Sequence, residues 1–108
     1  MKTDDICDED CPVAKASEVL SGKWTTLIVR DLLSGKKRYS ELQRSLSGIS
    51  PRMLAARLSM LEDAGLVTKT IYPTVPPKTE YELTAEGRRI EPVIVAMASF
   101  GTGLTAAE

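Results

Sequence analysis

A capped helix followed by a glycine stop is encoded by residues 50–67, SPRMLAARLSMLEDAGLV. Ser50 is a favourable N-cap, and Pro51 would occupy the first helical position, where its missing N–H is not needed. Gly65 can adopt the left-handed conformation that ends many helices. The leucines of the segment fall on one stripe, namely Leu54, Leu58 and Leu61. The pattern therefore predicts an amphipathic helix with one free face.

The free face of this predicted helix carries small residues and an arginine near its start: Arg52, Ala56, Ser59 and Asp63. Small side chains allow a helix to approach base edges, and arginine paired with guanine is the commonest specific contact in the DNA major groove. Taken alone, the segment still favours an ordinary amphipathic core helix. The residues that follow it reverse that preference.

A hairpin is predicted directly after the helix. Residues 66–72 are rich in β-branched side chains, residues 79–83 alternate between polar and apolar, and a proline-rich stretch joins them. Two strands around a stiff proline-rich tip are typical of a hairpin. A helix-turn-helix followed at once by a hairpin is the plan of a winged-helix domain.

Motifs in a fixed order connect the chain to a known family: Cys11-Pro12, Gly22-Lys23-Trp24, Tyr39-Ser40-Glu41-Leu42, Gly48-Ile49-Ser50, Met53-Leu54, Leu61-Glu62, Gly65-Leu66-Val67, Tyr72-Pro73, Val75-Pro76-Pro77, Glu80-Tyr81-Glu82-Leu83-Thr84 and Gly87. With these motifs the chain closely resembles the HxlR-type transcription regulators, winged-helix proteins related to the MarR group. The resemblance covers nearly everything from Cys11 to Phe100. It implies an α+β winged helix-turn-helix fold with extra N- and C-terminal helices that form a dimer interface.

The other segments complete this plan. Helices are predicted at residues 12–21 and 23–34, and an extended segment at 36–39 should pair with the wing. Ser40 has the spacing of a capping box and should open a short helix that runs to residue 46. Thr84 should cap a last helix, which Pro92 either kinks or breaks.

A single domain is expected from 108 residues. We divide the chain into a flexible acidic arm at 1–10, an HxlR-type winged-helix domain at 11–100 and a flexible tail at 101–108. No stretch approaches the length of a membrane span, and the acidic N-terminus lacks the basic and apolar regions of a signal peptide. We therefore expect a cytoplasmic protein with no membrane contact.

The net charge of −1 conceals a basic segment in the middle of the chain. Residues 36–89 contain 10 basic and 6 acidic side chains, a net charge of +4, whereas the segments on either side are acidic. The basic excess coincides with the predicted helix-turn-helix and wing, which favours double-stranded DNA as the partner. The candidate DNA contacts are Arg38, Ser40, Ser50, Arg52, Ala56, Arg57, Ser59, Lys69 and Lys78.

These candidates have different expected roles. Arg52 is the best candidate for reading a base, while Ser40 and Ser50 lie at helix starts, where free N–H groups can meet phosphate. Arg57, on the flank of the helix, is open to two interpretations, a phosphate contact or an internal salt bridge. For Lys78, beside the proline-rich tip, we favour contact with the DNA backbone or minor groove over a solvated surface charge.

The last predicted helix carries more apolar residues than packing on a small domain requires: Val93, Ile94, Met97 and Phe100. One interpretation is that this helix simply closes the core. The family resemblance instead implies a homodimer interface shared with the first helix. Two-fold symmetry would then separate the two recognition helices by about 34 Å, and the matching operator would be an inverted repeat.

Cys7 and Cys11 are the only cysteines, and a structural disulfide is not the default inside a cell. Cys11 precedes Pro12 at a helix start, a position typical of reactive cysteines. The acidic residues at 8–10 oppose that reactivity and Lys15 partly offsets them, so the residues alone leave the outcome open. The resemblance implies that Cys11 senses oxidants or electrophiles. Its disulfide partner would be Cys7, a cysteine of the second subunit or a small thiol. The alternative is an inert cysteine packed at the interface.

Catalysis, cofactors and a metal site are not predicted. The chain has no histidine, no glycine-rich phosphate loop and no nucleophile with an adjacent base. The sequence therefore predicts a homodimeric DNA-binding transcription regulator, whose inducer is a small oxidant or electrophile acting through Cys11. The alternatives are a winged-helix module for protein association and a regulator without thiol sensing.

Overall fold

Helices and one small sheet alternate along the chain in the computed structural model, which describes residues 11–106. In chain order the elements are α1 (Pro12–Val19), α2 (Lys23–Leu33), β1 (Lys37–Arg38), α3 (Tyr39–Ser45), α4 (Pro51–Asp63), β2 (Val67–Tyr72), β3 (Lys78–Leu83), α5 (Ala85–Arg88) and α6 (Glu91–Ala106). This arrangement confirms the predicted α+β winged helix-turn-helix fold.

Helix α4 begins and ends where the sequence predicted. The Ser50 hydroxyl accepts a hydrogen bond from the Met53 N–H at 3.1 Å, and Pro51 occupies the first helical position. Gly65 follows the helix with a φ of 77°, a conformation that glycine adopts without steric cost. The predicted leucine stripe is buried: Leu54, Leu58 and Leu61. The opposite face of α4 is left to solvent.

The sheet has the strand order β1-β3-β2, with antiparallel neighbours. β2 and β3 form the predicted hairpin, with Val67 opposite Leu83 at its base and Tyr72 opposite Lys78 near its tip. β1 pairs with the other edge of β3, as predicted. At the base of the hairpin, Val67, Tyr81 and Leu83 are buried, so the wing is anchored in the core while its tip extends from it.

The core lies between α2, α3, α4 and the base of the hairpin. Ile28 and Leu32 of α2 are fully buried together with Leu42 of α3 and the leucines of α4. Burying one such side chain stabilises the fold by roughly 1.5–3 kcal/mol. This shared cluster therefore holds α4 and the wing as one unit.

The start of α3 lies two residues before the predicted one. We predicted Ser40 as the N-cap, but α3 begins at Tyr39, with Arg38 in the capping position and Ser40 inside the first turn. The Glu41 carboxylate accepts a hydrogen bond from the Arg38 N–H at 2.8 Å. That bond caps the helix from within and makes a serine cap unnecessary.

The C-terminal region also differs from the prediction. Thr84 does cap a helix, because its hydroxyl accepts from the Gly87 N–H at 3.0 Å, but α5 ends at Arg88 and α6 starts separately. Pro92 lies in the first turn of α6, so the predicted break precedes it. The prediction of a flexible tail from Gly101 is wrong for residues 101–106, because α6 continues to Ala106. Two glycines do not end this helix, since each lowers helix propensity by only about 1 kcal/mol.

The predicted acidic arm at 1–10 lies outside the described residues. Within residues 11–106 none of the helices is both long and apolar enough to cross a membrane.

Candidate DNA-binding surface

The exposed face of α4 presents the side chains that the sequence singled out. Arg52, Ala56 and Ser59 are all exposed, and they lie on the side of the helix opposite the buried leucines. Arg52 is the second residue of the helix, so its guanidinium extends from the N-terminal end, the part of a recognition helix that usually meets base edges. This face has the shape and chemistry of a major-groove reader.

The two flanks of α4 face different neighbours. One flank carries Pro51 and Glu62, and it faces the sheet. The Tyr39 hydroxyl donates a hydrogen bond to the Pro51 carbonyl at 2.9 Å. Burial raises the pKa of Tyr81 in β3, and the charge of Glu62 adds to the shift. We call this side of α4 the wing flank.

Three predicted contacts come together beside the wing flank. Arg38, Ser40 and Lys78 line one shallow cleft between the start of α3 and the wing, together with Tyr39, Pro76, Pro77 and Thr79. Two cations and a serine in the first turn of a helix form a surface suited to a DNA phosphate. The sequence could not place these residues together, because they are about 40 positions apart in the chain and meet only through the β1–β3 pairing.

The two wing lysines do not lie together. Residues directly opposite each other in an antiparallel pair point to the same face of the sheet. Lys69 lies opposite Tyr81, on the face that closes the core, whereas Lys78 lies opposite Tyr72 on the other face. Arg38, which lies opposite Glu80, shares the face of Lys78. The Tyr72 hydroxyl donates to the Glu80 carboxylate at 2.8 Å, and this bond raises the pKa of Tyr72. Only Lys78 therefore belongs with the cleft.

Arg57 lies on the opposite flank of α4, and the internal salt bridge that was one of its two predicted roles is not formed within residues 11–106. It is half-buried and takes part in neither of the ion pairs formed among residues 11–106, which join Arg30 to Asp31 and Arg89 to Glu86. Its guanidinium rests against Gly22 at the start of α2. We call this side of α4 the α2 flank.

The apolar residues predicted for the last helix separate into two sets. Val93, Met97 and Phe100 are exposed by 40%, 47% and 71%, whereas Ile94 is half-buried and packs against the core of its own chain. Leu104, 57% exposed, extends the exposed stripe by one further turn. Sequence reasoning missed Leu104 because the tail was predicted to be flexible. Beside the stripe, Val13 of α1 and Leu20, which follows that helix, line an apolar groove with Val93 and Met97.

Cys11 is the N-cap of α1, as the sequence suggested. Its Sγ accepts a hydrogen bond from the Ala14 N–H at 3.3 Å, and the residue is only 3% exposed. Cys7 lies outside the described residues. Among the side chains that the structure describes, no group of three or more His, Cys, Asp or Glu residues could hold a metal ion.

Comparison with known proteins assigns the chain to a family. A family model of HxlR-like helix-turn-helix proteins matches residues 19–108. The chain belongs to the HxlR family. It is 40% identical over 92 residues to the HTH-type transcriptional regulator sll1512 of Synechocystis sp., a match that covers 85% of this chain and 68% of that regulator. The chain is therefore a transcription regulator of the HxlR type and not an enzyme.

Solved structures agree with this assignment. A MarR-family transcriptional regulator from Porphyromonas gingivalis superposes with a TM-score of 0.86 at 44% identity, covering 90% of this chain and 95% of that chain. The redox regulator HypR in its oxidized form superposes with a TM-score of 0.81 at 40% identity, covering 86% and 96% of the two chains. HypR in its reduced form gives the same TM-score.

Proposed function

We propose that this HxlR-family regulator binds an inverted-repeat DNA operator as a homodimer, with α4 in the major groove and the wing against the sugar–phosphate backbone. The observation that carries the proposal is the exposed face of α4. Near the N-terminal end of α4, the only charged side chain on this face is Arg52. The cationic cleft with Arg38 and Lys78 lies beside α4. The exposed face of α4 would thus contact base edges, and the cleft would contact phosphates. This is the usual division of roles in DNA-binding proteins.

The homodimer is supported by the exposed stripe of α6. Val93, Met97, Phe100 and Leu104 form a continuous apolar surface next to the apolar groove lined by α1. Exposed apolar patches of this kind mark association surfaces in proteins of modest size. Pairing this surface about a two-fold axis gives two copies of α4, which read two half-sites about 34 Å apart.

Regulation is proposed to act through Cys11. In the oxidised state the Cys11 thiol and a second thiol, from Cys7, from the partner subunit or from a small molecule, would form a disulfide. The two thiols would then lose two electrons and two protons to the oxidant. The likeness to HypR, a redox regulator solved in oxidized and reduced forms, supports this proposal. Burial of Cys11 implies that an oxidant reaches the sulfur only when the start of α1 opens.

The DNA-binding proposal is tested by selecting duplexes from a random pool with the wild-type protein and then measuring variants on the selected sequence. Arg52→Ala should cost about 1–3 kcal/mol and relax the preference at one base position. Lys78→Gln should weaken all sequences alike and reduce the salt slope by about one unit. Arg88→Ala, which removes an exposed cation from α5, is the matched control. Unchanged affinity and sequence preference in Arg52→Ala would contradict the assignment of α4 as the reader.

A further inference from the structure

The α2 flank of α4 contains a concentration of positive charge that takes part in no ion pair within residues 11–106. Gly22, the N-cap of α2, provides no side-chain cap, and the first turn of α2 contains no acidic residue. Unsatisfied N–H groups and the helix dipole make this end of a helix positive. Lys23 is the first residue of α2, so a full positive charge is added at the same place.

Arg57 adds a second cation to this region. Its guanidinium contacts Gly22 so closely that a Cβ on that residue would lie 3.1 Å from Nη2. Among residues 11–106 the buried Arg57 Nε has no hydrogen-bond partner, and Nη1 lies 4.0 Å from the Met60 sulfur. A cation beside the positive end of a helix is unfavourable unless an anion is present. Local conflicts of this kind are expected at functional sites.

Lys23 is also held in this region. Its Nζ lies 4.6 Å from the centre of the Trp24 ring, a cation–π distance. Like Arg57, Lys23 takes no part in the ion pairs formed within residues 11–106. Two positioned cations without a carboxylate partner are therefore available to an anion from outside the chain.

The position of these cations relative to α4 indicates that the anion is a phosphate of the DNA backbone. The major groove is about 12 Å wide, and a helix with its side chains is about 10–12 Å across. A helix seated in the groove therefore has one sugar–phosphate backbone along each flank. The cleft with Arg38 and Lys78 lies on the wing flank, whereas Lys23 and Arg57 lie on the α2 flank. The two groups of cations are thus placed to meet the two walls of the groove.

We propose that Lys23, Arg57 and the first turn of α2 bind a backbone phosphate of the DNA strand opposite to the one met by the wing. The inference rests on the proposed DNA binding by α4 and adds a second phosphate contact to it. Lys23 supplies an exposed ammonium group, and Arg57 fixes the distance between α2 and α4. Together they keep α4 centred in the groove.

The proposal is tested on the full chain with a fluorescein-labelled duplex of arbitrary sequence, because phosphate contacts do not depend on sequence. Fluorescence anisotropy gives the affinity over a series from ~50 to ~200 mM salt. Lys23→Gln and Arg57→Gln should each lower the slope of log K against log salt by about one unit, which is about a fourfold smaller loss of affinity over this range. Arg57→Lys, which keeps the charge, should retain the slope.

Controls separate the possible outcomes. Lys15→Gln removes an exposed cation from α1 and should leave the slope unchanged. A wild-type slope in Lys23→Gln, together with a reduced slope in Lys78→Gln, would overturn the second phosphate contact and leave the proposed function intact. If wild type itself bound the duplex without salt dependence, the proposed function would fail first. Thermal unfolding identifies a variant that has lost its fold. If Arg57→Gln is unfolded, the slope of Lys23→Gln alone decides whether the second phosphate contact exists.

Discussion

Replacing Gly87 with alanine would test how firmly α5 is fixed against the base of the wing. A Cβ on Gly87 would overlap the carbonyl oxygen of Leu66 and would lie 3.0 Å from Cδ2 of Leu83. The carbonyl oxygen belongs to the backbone at the start of the hairpin, so it cannot move aside as the end of a flexible side chain could. Because this backbone carbonyl cannot yield cheaply, we expect α5 to be displaced.

The magnitude follows from the hydrogen bonds that hold α5 in place. The Leu66 carbonyl accepts from the Thr84 N–H at 2.9 Å, the Thr84 hydroxyl donates to the Gly65 carbonyl at 2.7 Å, and the same hydroxyl accepts from the Gly87 N–H at 3.0 Å. Loss of an N-cap costs about 1 kcal/mol, and each of the other bonds contributes a similar amount. The free energy of unfolding should therefore fall by roughly 2–3 kcal/mol, a large part of the 5–15 kcal/mol typical of a domain.

Urea unfolding followed by circular dichroism and by the fluorescence of Trp24, the single tryptophan, measures this loss. Wild type and variants must be compared at one protein concentration, because a dimer unfolds in a concentration-dependent way. Gly103→Ala is the matched control, since a Cβ there meets nothing within 4 Å and lies within α6. It should stabilise the protein by up to about 1 kcal/mol. An unchanged midpoint for Gly87→Ala would refute the claim that this contact fixes α5.

Two further predictions concern assembly and sensing. Phe100→Asp places a charge in the exposed stripe of α6 and should give monomers in sedimentation, because burying an unpaired charge is costly; Val95→Asp, on another side of the same helix and 62% exposed, should remain dimeric. Cys11→Ser keeps an N-cap side chain for α1, so the variant should bind DNA as wild type does but no longer respond to diamide, and a response equal to that of wild type would exclude Cys11 as the sensor.

The parts of the fold that the sequence predicted well depend on residues close together in the chain. The cap at Ser50, the glycine stop at Gly65 and the stripe of three leucines lie within one segment, and each has a local physical cause. For the same reason the hairpin and its proline-rich tip were predicted with the correct pairing. The orientation of α4, with Arg52 outward and its leucines buried, followed from this local pattern.

The predictions that failed depend on competition between local signals or on distant contacts. The sequence predicted that Ser40 caps α3, but the Glu41 carboxylate accepts from the Arg38 N–H and moves the start of the helix forward. Gly101 and Gly103 suggested fraying, but α6 continues past both of them to Ala106. The stripe predicted to end at Phe100 therefore reaches Leu104, and Ile94 packs in part against the core of its own chain.

The surroundings of Arg57 could be learned only from the structure. The sequence placed it on the flank of α4 without indicating what that flank faces, which left a phosphate contact and a salt bridge equally open. The fold brings it against Gly22, between the end of α1 and the start of α2. Val19 of α1 and Met60 of α4 line a groove on the same side. A displacement of α1, which is capped by Cys11 and borders the α6 stripe, would therefore move the segment on which Arg57 rests. In the proposed regulation, a change at Cys11 would therefore be transmitted along α1 to the Gly22 segment and from there to Arg57 of α4, the helix proposed to read DNA.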